Sequence, residues 1–234
     1  MQAGNLSENI LITGGANGIG RAVARKFSNE NYRVAIADVE IPREQEECLS
    51  FFKTNVSDPV DVANLYDELI DTIGHPGILV LNAGRGIQEK LFEGDPGKWQ
   101  EVINTNLMGA LRCIRAFVPE MMKRQEGHVI IVSSVSAGQP HPSGGIYAAT
   151  KTALEIIADT LRLETLPHIK VTVVSPGVTN TNFFENQISG YTSVENLEMG
   201  FLAPEDIAED IFYAVNQKGR SINKIITRPL KQSF

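Results

Sequence analysis

The chain has 234 residues, of which 42% are hydrophobic and 21% charged, a composition typical of a soluble globular protein with a large core. Its formal net charge is -7 and it has no block of Lys or Arg, so we expect neither nucleic acid nor an anionic membrane as a partner. No apolar run approaches the length of a membrane span and no signal-peptide pattern starts the chain, which predicts a cytoplasmic location.

Cysteine and histidine are both sparse. Cys48 and Cys113 lie far apart and lack a CxxC context, so the sequence predicts two reduced thiols. The four histidines show no ligand spacing, and we therefore predict no metal site.

Six short runs are apolar throughout rather than alternating, which is typical of strands buried on both faces of a parallel sheet. These runs are residues 9–13, 32–37, 77–81, 128–133, 170–175 and 224–227. A further strand is expected at 50–54.

Helical patterns lie between these runs, at residues 19–30, 59–73, 96–124 and 147–166. The alternation of strands and helices predicts an α/β fold: a doubly wound, mostly parallel, seven-stranded Rossmann-type sheet with helices on both faces. The sequence shows no internal repeat and no linker, so we expect a single domain over residues 1–234.

The first strand leads directly into TGGANGIG, residues 13–20, and then into a helix. Gly14, Gly18 and Gly20 stand where the backbone must turn tightly, approach a pyrophosphate and pack against the strand. The N-terminus of the following helix offers free N–H groups and a positive dipole to phosphate. This segment therefore predicts a dinucleotide site, with a glycine-rich turn that binds no ligand as the alternative.

Asp38 ends the second strand, eighteen residues after Gly20. A carboxylate at this point accepts hydrogen bonds from the adenosine ribose hydroxyls and repels a 2′-phosphate, so the sequence predicts that NAD(H) is preferred over NADP(H). Two alternatives stay open: Arg21 or Arg43 lies near enough in sequence to reach a phosphate, and Asp38 is able to cap the strand end instead.

Tyr147 and Lys151 are four residues apart at the head of the helical pattern 147–166, so their Cβ atoms should lie about 5–6 Å apart on one face. An ammonium beside a phenol favours the phenolate, and a tyrosine with the reference pKa of about 10 is a weak base at neutral pH. The pair is consistent with proton transfer, but such spacings arise often by chance, so the pair alone favours a tyrosine beside a solvated lysine.

Together these motifs resemble those of the classical short-chain dehydrogenase/reductase family, in the same order and over nearly the whole chain. The matching segments are Thr13 to Gly20, Asn82–Ala83–Gly84, Asn106 to Gly109, the serines of VSSVSAG at 132–138, Tyr147 to Lys151, and Pro176–Gly177 with Thr181. The resemblance implies an enzyme that interconverts a small ketone and a secondary alcohol by hydride transfer to or from NAD(H).

The resemblance also implies roles for individual residues. Tyr147 would be the general acid or base, and Lys151 would lower its pKa and bind the nicotinamide ribose. Ser134 would hydrogen-bond the substrate oxygen, with Ser133 as the rival for this role. Asn106 would position a water that links Lys151 to solvent.

A larger set of residues would contact the cofactor. By resemblance these are Gly14, Asn17, Gly18, Ile19, Gly20, Asp38, Asn55, Val56, Asn82, Ala83, Gly84, Tyr147, Lys151, Pro176, Gly177, Thr179 and Thr181. Asn55 departs from the acidic residue that the family often has near the adenine, although its amide is still able to hydrogen-bond there.

Residues 179–208 follow the sixth strand and resemble a substrate lid, which would face residues 138–145 on the other wall. Candidate wall residues are Phe183, Phe184, Tyr191, Met199, Phe201 and His141; the aromatic residues are equally consistent with packing or an oligomer contact.

Family resemblance further implies a homodimer or homotetramer through the helix that bears Tyr147. The alternatives are a non-catalytic NAD(H)-binding sensor or scaffold and an epimerase or dehydratase of the same fold.

Overall fold

The computed structural model describes residues 8–42, 48–190 and 200–232. Seven strands form one sheet: β1 (Asn9–Thr13), β2 (Arg33–Asp38), β3 (Leu49–Lys53), β4 (Ile78–Leu81), β5 (Gly127–Val132), β6 (Ile169–Pro176) and β7 (Lys224–Thr227). All neighbouring strands are parallel, which confirms the predicted fold class and goes beyond the expected "mostly parallel" sheet.

Six α-helices connect the strands: α1 (Gly18–Asn29), α2 (Pro59–Ile73), α3 (Pro96–Ile103), α4 (Gly109–Arg124), α5 (Gly145–Thr165) and α6 (Pro204–Val215), as far as the described ranges extend. The helices cover both faces of the sheet. On one face the core contains side chains of α2, α4 and α5, such as Leu65, Phe117 and Leu154. On the other face α1 and α6 pack together, and the rings of Phe27 and Phe212 meet edge to face.

The strand order is β3-β2-β1-β4-β5-β6-β7. The chain therefore builds outward from β1 to β3, returns to the middle, and builds outward again from β4 to β7. Because all strands are parallel, their carboxyl ends share one edge of the sheet, and the reversal between β1 and β4 opens a crevice there. Most of the predicted site residues lie at or just after the ends of β1 to β6 at this edge, and Tyr147 and Lys151 lie at the beginning of α5.

The long helix predicted over residues 96–124 is interrupted. A π-helical turn at Asn104–Met108 separates α3 from α4. Such a turn inserts one extra residue into the helix and is frequent at functional sites. Here it contains Asn106, whose side chain is 1% exposed.

The predicted lid ends earlier than expected, because residues 204–208 belong to α6. Pro204 begins this helix, and the Asp206 carboxylate accepts a hydrogen bond of 2.8 Å from the Ala203 N–H. Ile207 and Ala208 are buried against the sheet. The lid prediction is therefore restricted to residues 179–203; Tyr191 and Met199 in it, like Arg43, lie outside the described residues.

Two further observations concern the described ranges. None of their helices is both long and apolar enough to cross a membrane. Cys48 is exposed, Cys113 is buried, and both are free thiols.

Candidate active site

A cleft of about 1310 Å³ runs along the carboxyl edge of the sheet. It is lined by every predicted cofactor residue except Gly20, and by Ser134, Tyr147 and Lys151 of the predicted catalytic group. Gly20 and Asn106 do not line the cleft. The structure therefore brings the predicted residues together from elements that are far apart in sequence.

The glycine-rich turn between β1 and α1 is shaped by close backbone approach. Gly14 has a φ of +66°, and a Cβ at this position would lie 2.8 Å from the Cα of Ala83. A Cβ on Gly20 would lie 2.1 Å from the carbonyl oxygen of Gly14, so Gly20 shapes the turn from behind. The Asn82 amide donates hydrogen bonds to the carbonyls of Thr13 and Gly14, at 3.1 and 2.8 Å.

This cradle fits the pyrophosphate of a dinucleotide. The first N–H groups of α1 have no acceptor inside the helix, and their dipole favours an anion. The side chain of Asn17, which precedes the helix, makes no capping hydrogen bond and leaves those N–H groups accessible. The methyl group of Thr181 packs against Gly18, because a Cβ on Gly18 would lie 3.0 Å from that methyl group. Thr181 therefore covers the turn on the side of the predicted lid.

Asp38 lies at the end of β2, where its carboxylate accepts hydrogen bonds from the N–H groups of Ala16 and Glu40, at 2.9 and 3.1 Å. It therefore joins the glycine-rich turn to the residues after β2 and still lines the cleft. Glu40 places a second carboxylate there and accepts a hydrogen bond of 2.8 Å from Asn17. Sequence reasoning missed Glu40, although its position two residues after Asp38 was a usable signal.

Asn55 lines the same end of the cleft, but its side chain serves its own loop. The Asn55 amide oxygen accepts hydrogen bonds from the N–H and the hydroxyl of Ser57, at 3.0 and 2.7 Å. This local turn occupies the acceptor that was expected to face the adenine. Val56 is buried in contact with Gly109.

Tyr147 and Lys151 lie one turn apart at the beginning of α5. The Nζ of Lys151 is 5.8 Å from the centre of the Tyr147 ring and donates a hydrogen bond of 2.9 Å to the carbonyl of Val132. Burial lowers the pKa of Lys151 to about 8, because the ammonium is removed from water.

Burial raises the pKa of Tyr147 to about 12, and hydrogen bonding from Ser134 opposes the rise. The lowering expected from Lys151 is not observed: desolvation of the phenolate is the larger cause and the Ser134 hydrogen bond opposes it, whereas the Lys151 ammonium bonds the Val132 carbonyl. The chain's own groups keep the phenol protonated at neutral pH. A protonated phenol is a hydrogen-bond donor, which is the state required of a general acid.

The two serines after β5 have different surroundings. The Ser133 hydroxyl is buried and donates a hydrogen bond of 3.2 Å to the carbonyl of Lys151, which fixes α5 against β5. Both serines line the cleft, but the Ser134 hydroxyl accepts a hydrogen bond of 3.1 Å from the Ser136 N–H and forms a hydrogen bond with the Tyr147 phenol. This arrangement supports Ser134 over Ser133 as the serine that meets a substrate.

Asn106 lies behind the cleft, where the π-helical turn presents its side chain to the loop after β4. Its amide oxygen accepts a hydrogen bond of 2.7 Å from the Arg85 N–H, and its nitrogen donates to the Arg85 carbonyl at 3.0 Å and the Thr150 hydroxyl at 3.2 Å. All of these contacts hold neighbouring parts of the site. The side chain therefore connects the loop after β4 to α5, and its role in a proton relay stays a prediction.

Residues 183–190, which we name the lid arm, contribute Phe183, Phe184, Asn186 and Gln187 to the cleft wall near Tyr147. The rings of Phe183 and Tyr147 are 5.6 Å apart, and those of Phe183 and Phe184 are 5.7 Å apart. Both phenylalanines line the cleft, whereas Phe201 does not. His141 also lines the cleft, with its ring packed over Gly144.

The end of the described chain contributes a residue that sequence reasoning missed. The Gln232 side-chain oxygen accepts a hydrogen bond of 3.0 Å from the Val178 N–H and lines the cleft. A Cβ on Gly177 would lie 2.2 Å from that oxygen and 2.9 Å from the Cδ of Pro229, so the glycine leaves room for the Gln232 side chain. No local motif marks Gln232, because its partner lies 54 residues away.

Comparison with known proteins agrees with this geometry. The sequence profile of the short chain dehydrogenases matches residues 8–191, which is most of the chain. The chain belongs to the short-chain dehydrogenase/reductase family. It is therefore an oxidoreductase that acts on CH–OH or C=O groups, and neither the family nor the cleft at Tyr147 favours the non-catalytic sensor.

Individual proteins match the chain over nearly its full length. An uncharacterized oxidoreductase of Staphylococcus aureus is 31% identical over 229 residues, which cover 94% of this chain and 96% of that protein. The structure of ElxO with NADP bound has a TM-score of 0.84 and 26% identity, covering 94% of this chain and 97% of that one. The 3-ketoacyl-(acyl-carrier-protein) reductase from Brucella melitensis complexed with NADH has the same fold, with a TM-score of 0.86, 22% identity and coverage of 97% and 99%.

Proposed function

We propose that this enzyme interconverts a small ketone and a secondary alcohol, with Tyr147 as the general acid or base. The observation that carries the proposal is the convergence of Ser134, Tyr147 and Lys151 on one cleft beside the glycine-rich turn. Membership of the family sets the reaction type, and these side chains supply the groups that a carbonyl reduction requires.

In this proposal the bound nicotinamide cofactor supplies or accepts the hydride. In the reducing direction the Tyr147 phenol protonates the carbonyl oxygen, and its raised pKa keeps the proton available at neutral pH. The Ser134 hydroxyl donates a hydrogen bond to the same oxygen and holds it beside the phenol. Proton donation leaves a Tyr147 phenolate. Lys151, one turn along α5, stabilises this phenolate when its own amine is protonated, which requires a pH below its pKa of about 8.

We further propose that the cofactor is NAD(H) in preference to NADP(H). Asp38 and Glu40 place two carboxylates at the end of the cleft where an adenosine ribose would lie, and both would repel a 2′-phosphate. The similar structures do not decide this point, since the ElxO structure holds NADP and the Brucella reductase holds NADH.

Assembly and location belong to the same proposal. Ile156 and Leu163 lie two turns apart on α5 and are 64% and 74% exposed, which supports a homodimer or homotetramer formed through this helix. A monomer in analytical ultracentrifugation would contradict the proposed homodimer or homotetramer.

A cytoplasmic location also stays a prediction, for which cell fractionation is the test.

The test of the reaction type is the loss of NADH absorbance over a panel of small ketones and 3-oxo acids. We expect turnover by the native enzyme with at least one compound, and a loss of about 10²-fold or more in kcat for Tyr147→Phe with unchanged NADH affinity. Equal rates for the two proteins would refute the role of Tyr147. Tight NADH binding without turnover on any carbonyl compound would contradict the proposed reaction.

A further inference from the structure

One carboxylate outside the cleft joins the segments that form its walls. The Oε1 of Glu89 accepts hydrogen bonds from the Ser189 hydroxyl at 2.7 Å and from the Lys98 ammonium at 3.3 Å. Its Oε2 accepts from the Trp99 indole N–H and the Asp95 N–H, both at 2.9 Å. Ser189 belongs to the lid arm, whereas the other donors lie at the beginning of α3.

The backbone around Glu89 pairs with the lid arm. The Ile188 N–H donates to the carbonyl of Gly86 at 3.0 Å, and the Gln88 N–H donates to the carbonyl of Ser189 at 3.1 Å. The approach is close, since a Cβ on Gly190 would lie 2.5 Å from that of Gln88. Residues 86–89 thus form the surface on which the lid arm rests.

Glu89 also reaches the opposite wall of the cleft. Its N–H donates a hydrogen bond of 2.8 Å to the carbonyl of Ser143, in the loop that precedes α5. One residue therefore contacts the lid arm, α3 and the loop that leads to Tyr147.

The burial and ionisation of the Glu89 carboxylate favour a stable connection between the lid arm and α3. Its side chain is 13% exposed, and the Ser189 hydroxyl and the Asp95 N–H lower the pKa of Glu89 to about 2. It is therefore ionised at neutral pH and able to use both oxygens as acceptors. Hydrogen bonds to an ionised acceptor are shorter and stronger than those between neutral groups.

The lid arm carries Phe183, which faces Tyr147. A Cβ on Gly86 would lie 3.0 Å from the Phe183 ring, so this ring packs against residues 86–89, the segment that includes Glu89. The place of Phe183 over Tyr147 thus depends on how the lid arm is docked. Glu89 itself does not line the cleft and would not touch a substrate.

We propose that Glu89 is a positioning residue that holds the lid arm, through Ser189, in its closed place over Tyr147, and thereby sets the affinity for the carbonyl substrate. The proposal rests on the proposed function for its substrate, although the docking of the lid arm is measurable without turnover. Cofactor affinity should not depend on Glu89, because none of its contacts reaches the glycine-rich turn or Asp38.

Glu89→Gln tests the proposal, because it keeps the size of the side chain while turning one of its two acceptor oxygens into a donor. Glu93→Gln is the matched control: Glu93 lies four residues away and makes one exposed ion pair, at 3.5 Å to Lys90. Hydrogen exchange of peptides covering residues 86–89 and 183–190 reports docking. Steady-state kinetics separate KM from kcat.

In Glu89→Gln we expect exchange of these peptides to accelerate about tenfold or more, and KM for the carbonyl substrate to rise by a similar factor. We expect kcat to change less than about threefold and the Kd of NADH to stay within about twofold, with Glu93→Gln like the native enzyme. Unchanged exchange would overturn the proposal, whether or not the enzyme turns over. A uniform fall in kcat, NADH affinity and Tm would also overturn it, because it would show a general structural role.

Ser189→Ala keeps the test decisive if Glu89→Gln fails to fold. This change leaves the contacts of Glu89 with α3 intact and removes only the donor on the lid arm. The proposal predicts faster exchange of residues 183–190 and a KM raised about threefold, at unchanged Tm. Native exchange and KM in Ser189→Ala would show that Glu89 supports only α3, and would refute its action on the lid arm.

Discussion

The two ends of the cleft are built in different ways. At the cofactor end, the contacts join residues that belong to recognisable motifs: Asn82 bonds the carbonyl of Gly14, and Thr181 packs beside Gly18. At the proposed substrate end, the contact that we propose to hold the lid arm joins Glu89 to Ser189, which lie 100 residues apart and belong to no motif. The first end is fixed by backbone geometry that only certain residues permit, whereas the second depends on side chains that happen to meet in the fold.

This difference shows which parts of an enzyme a sequence makes visible. A pyrophosphate cradle requires glycine at set positions, so its sequence is constrained by sterics. A lid that rests on a carboxylate needs only an acceptor and a donor at the right distance. Many residue pairs satisfy that requirement, and none of them has a characteristic spacing.

The largest expected effect concerns Lys151, at the boundary between the two ends. Lys151→Met should lower turnover by about 10²-fold, because the phenolate of Tyr147 loses its stabilising cation. The same change should leave the free energy of unfolding at pH 7 unchanged or raise it by up to about 2 kcal/mol. Lowering the pKa of a buried lysine from 10.5 to about 8 costs about 3 kcal/mol, and the lost hydrogen bond to Val132 offsets part of that gain.

The lowered pKa of Lys151 also predicts how the free energy of unfolding changes with pH. Between pH 8 and 10.5 the unfolded chain binds the Lys151 proton and the folded chain does not, so the native enzyme gains about 3 kcal/mol relative to Lys151→Met as pH rises through this window. Urea titrations at pH 7 and pH 10 measure the difference. Lys123→Met, on the surface, is the control and should show no such change. A pH-independent difference between the native enzyme and Lys151→Met would contradict the lowered pKa.

A smaller effect is expected at the adenosine end. Asp38→Asn removes one carboxylate charge while keeping the size of the side chain, so the preference for NADH over NADPH in kcat/KM should fall by about 10- to 100-fold. Asp71→Asn, on the exposed side of α2, serves as the control. An unchanged preference in Asp38→Asn would show that the repulsion of a 2′-phosphate does not come from this residue.

The smallest expected effect is at the end of the described chain. Gln232→Ala should raise KM for NADH about threefold to tenfold, because the Val178 N–H loses its acceptor and the loop after β6 is held less firmly. Gln232→Glu keeps an acceptor oxygen and should restore most of the affinity, and Lys231→Ala should behave like the native enzyme. If Gln232→Glu is as impaired as Gln232→Ala, the hydrogen bond to Val178 is not the cause.

Much of the fold was predictable from the sequence because buried parallel strands are apolar throughout. Six predicted strands lie within two residues of the observed bounds, and the strand expected at 50–54 is observed at Leu49–Lys53. The π-helical turn around Asn106 escaped prediction because a single inserted residue hardly disturbs the helical pattern of the apolar side chains.

Helix α6 was missed although a signal existed. Pro204 at its first turn, Asp206 as its capping partner, and Ile207 and Ile211 on one face are all typical of a helix beginning there. The resemblance of the segment to a lid led the prediction past these residues, to 208.

Within the site, the motif residues were predictable and their partners were not. The sequence led to Tyr147, Lys151 and Ser134, but not to the raised pKa of Tyr147, because desolvation depends on packing that no local pattern reveals. Gln232 and Glu89 lacked a signal for the same reason: each acts through a partner far away in sequence.

The central claim is that Tyr147 donates a proton as the cofactor transfers a hydride. The most direct test measures hydride transfer in a single turnover with and without the Tyr147 hydroxyl. The enzyme is mixed with an active ketone from the panel and with NADH deuterated at the transferring position, and the alcohol is analysed by mass spectrometry. The account predicts one deuterium on the carbinol carbon with the native enzyme, and deuterium transfer slowed at least about 10²-fold in Tyr147→Phe at equal NADH occupancy. Equally fast transfer in Tyr147→Phe, or an alcohol without deuterium, would contradict proton donation by Tyr147 coupled to hydride transfer.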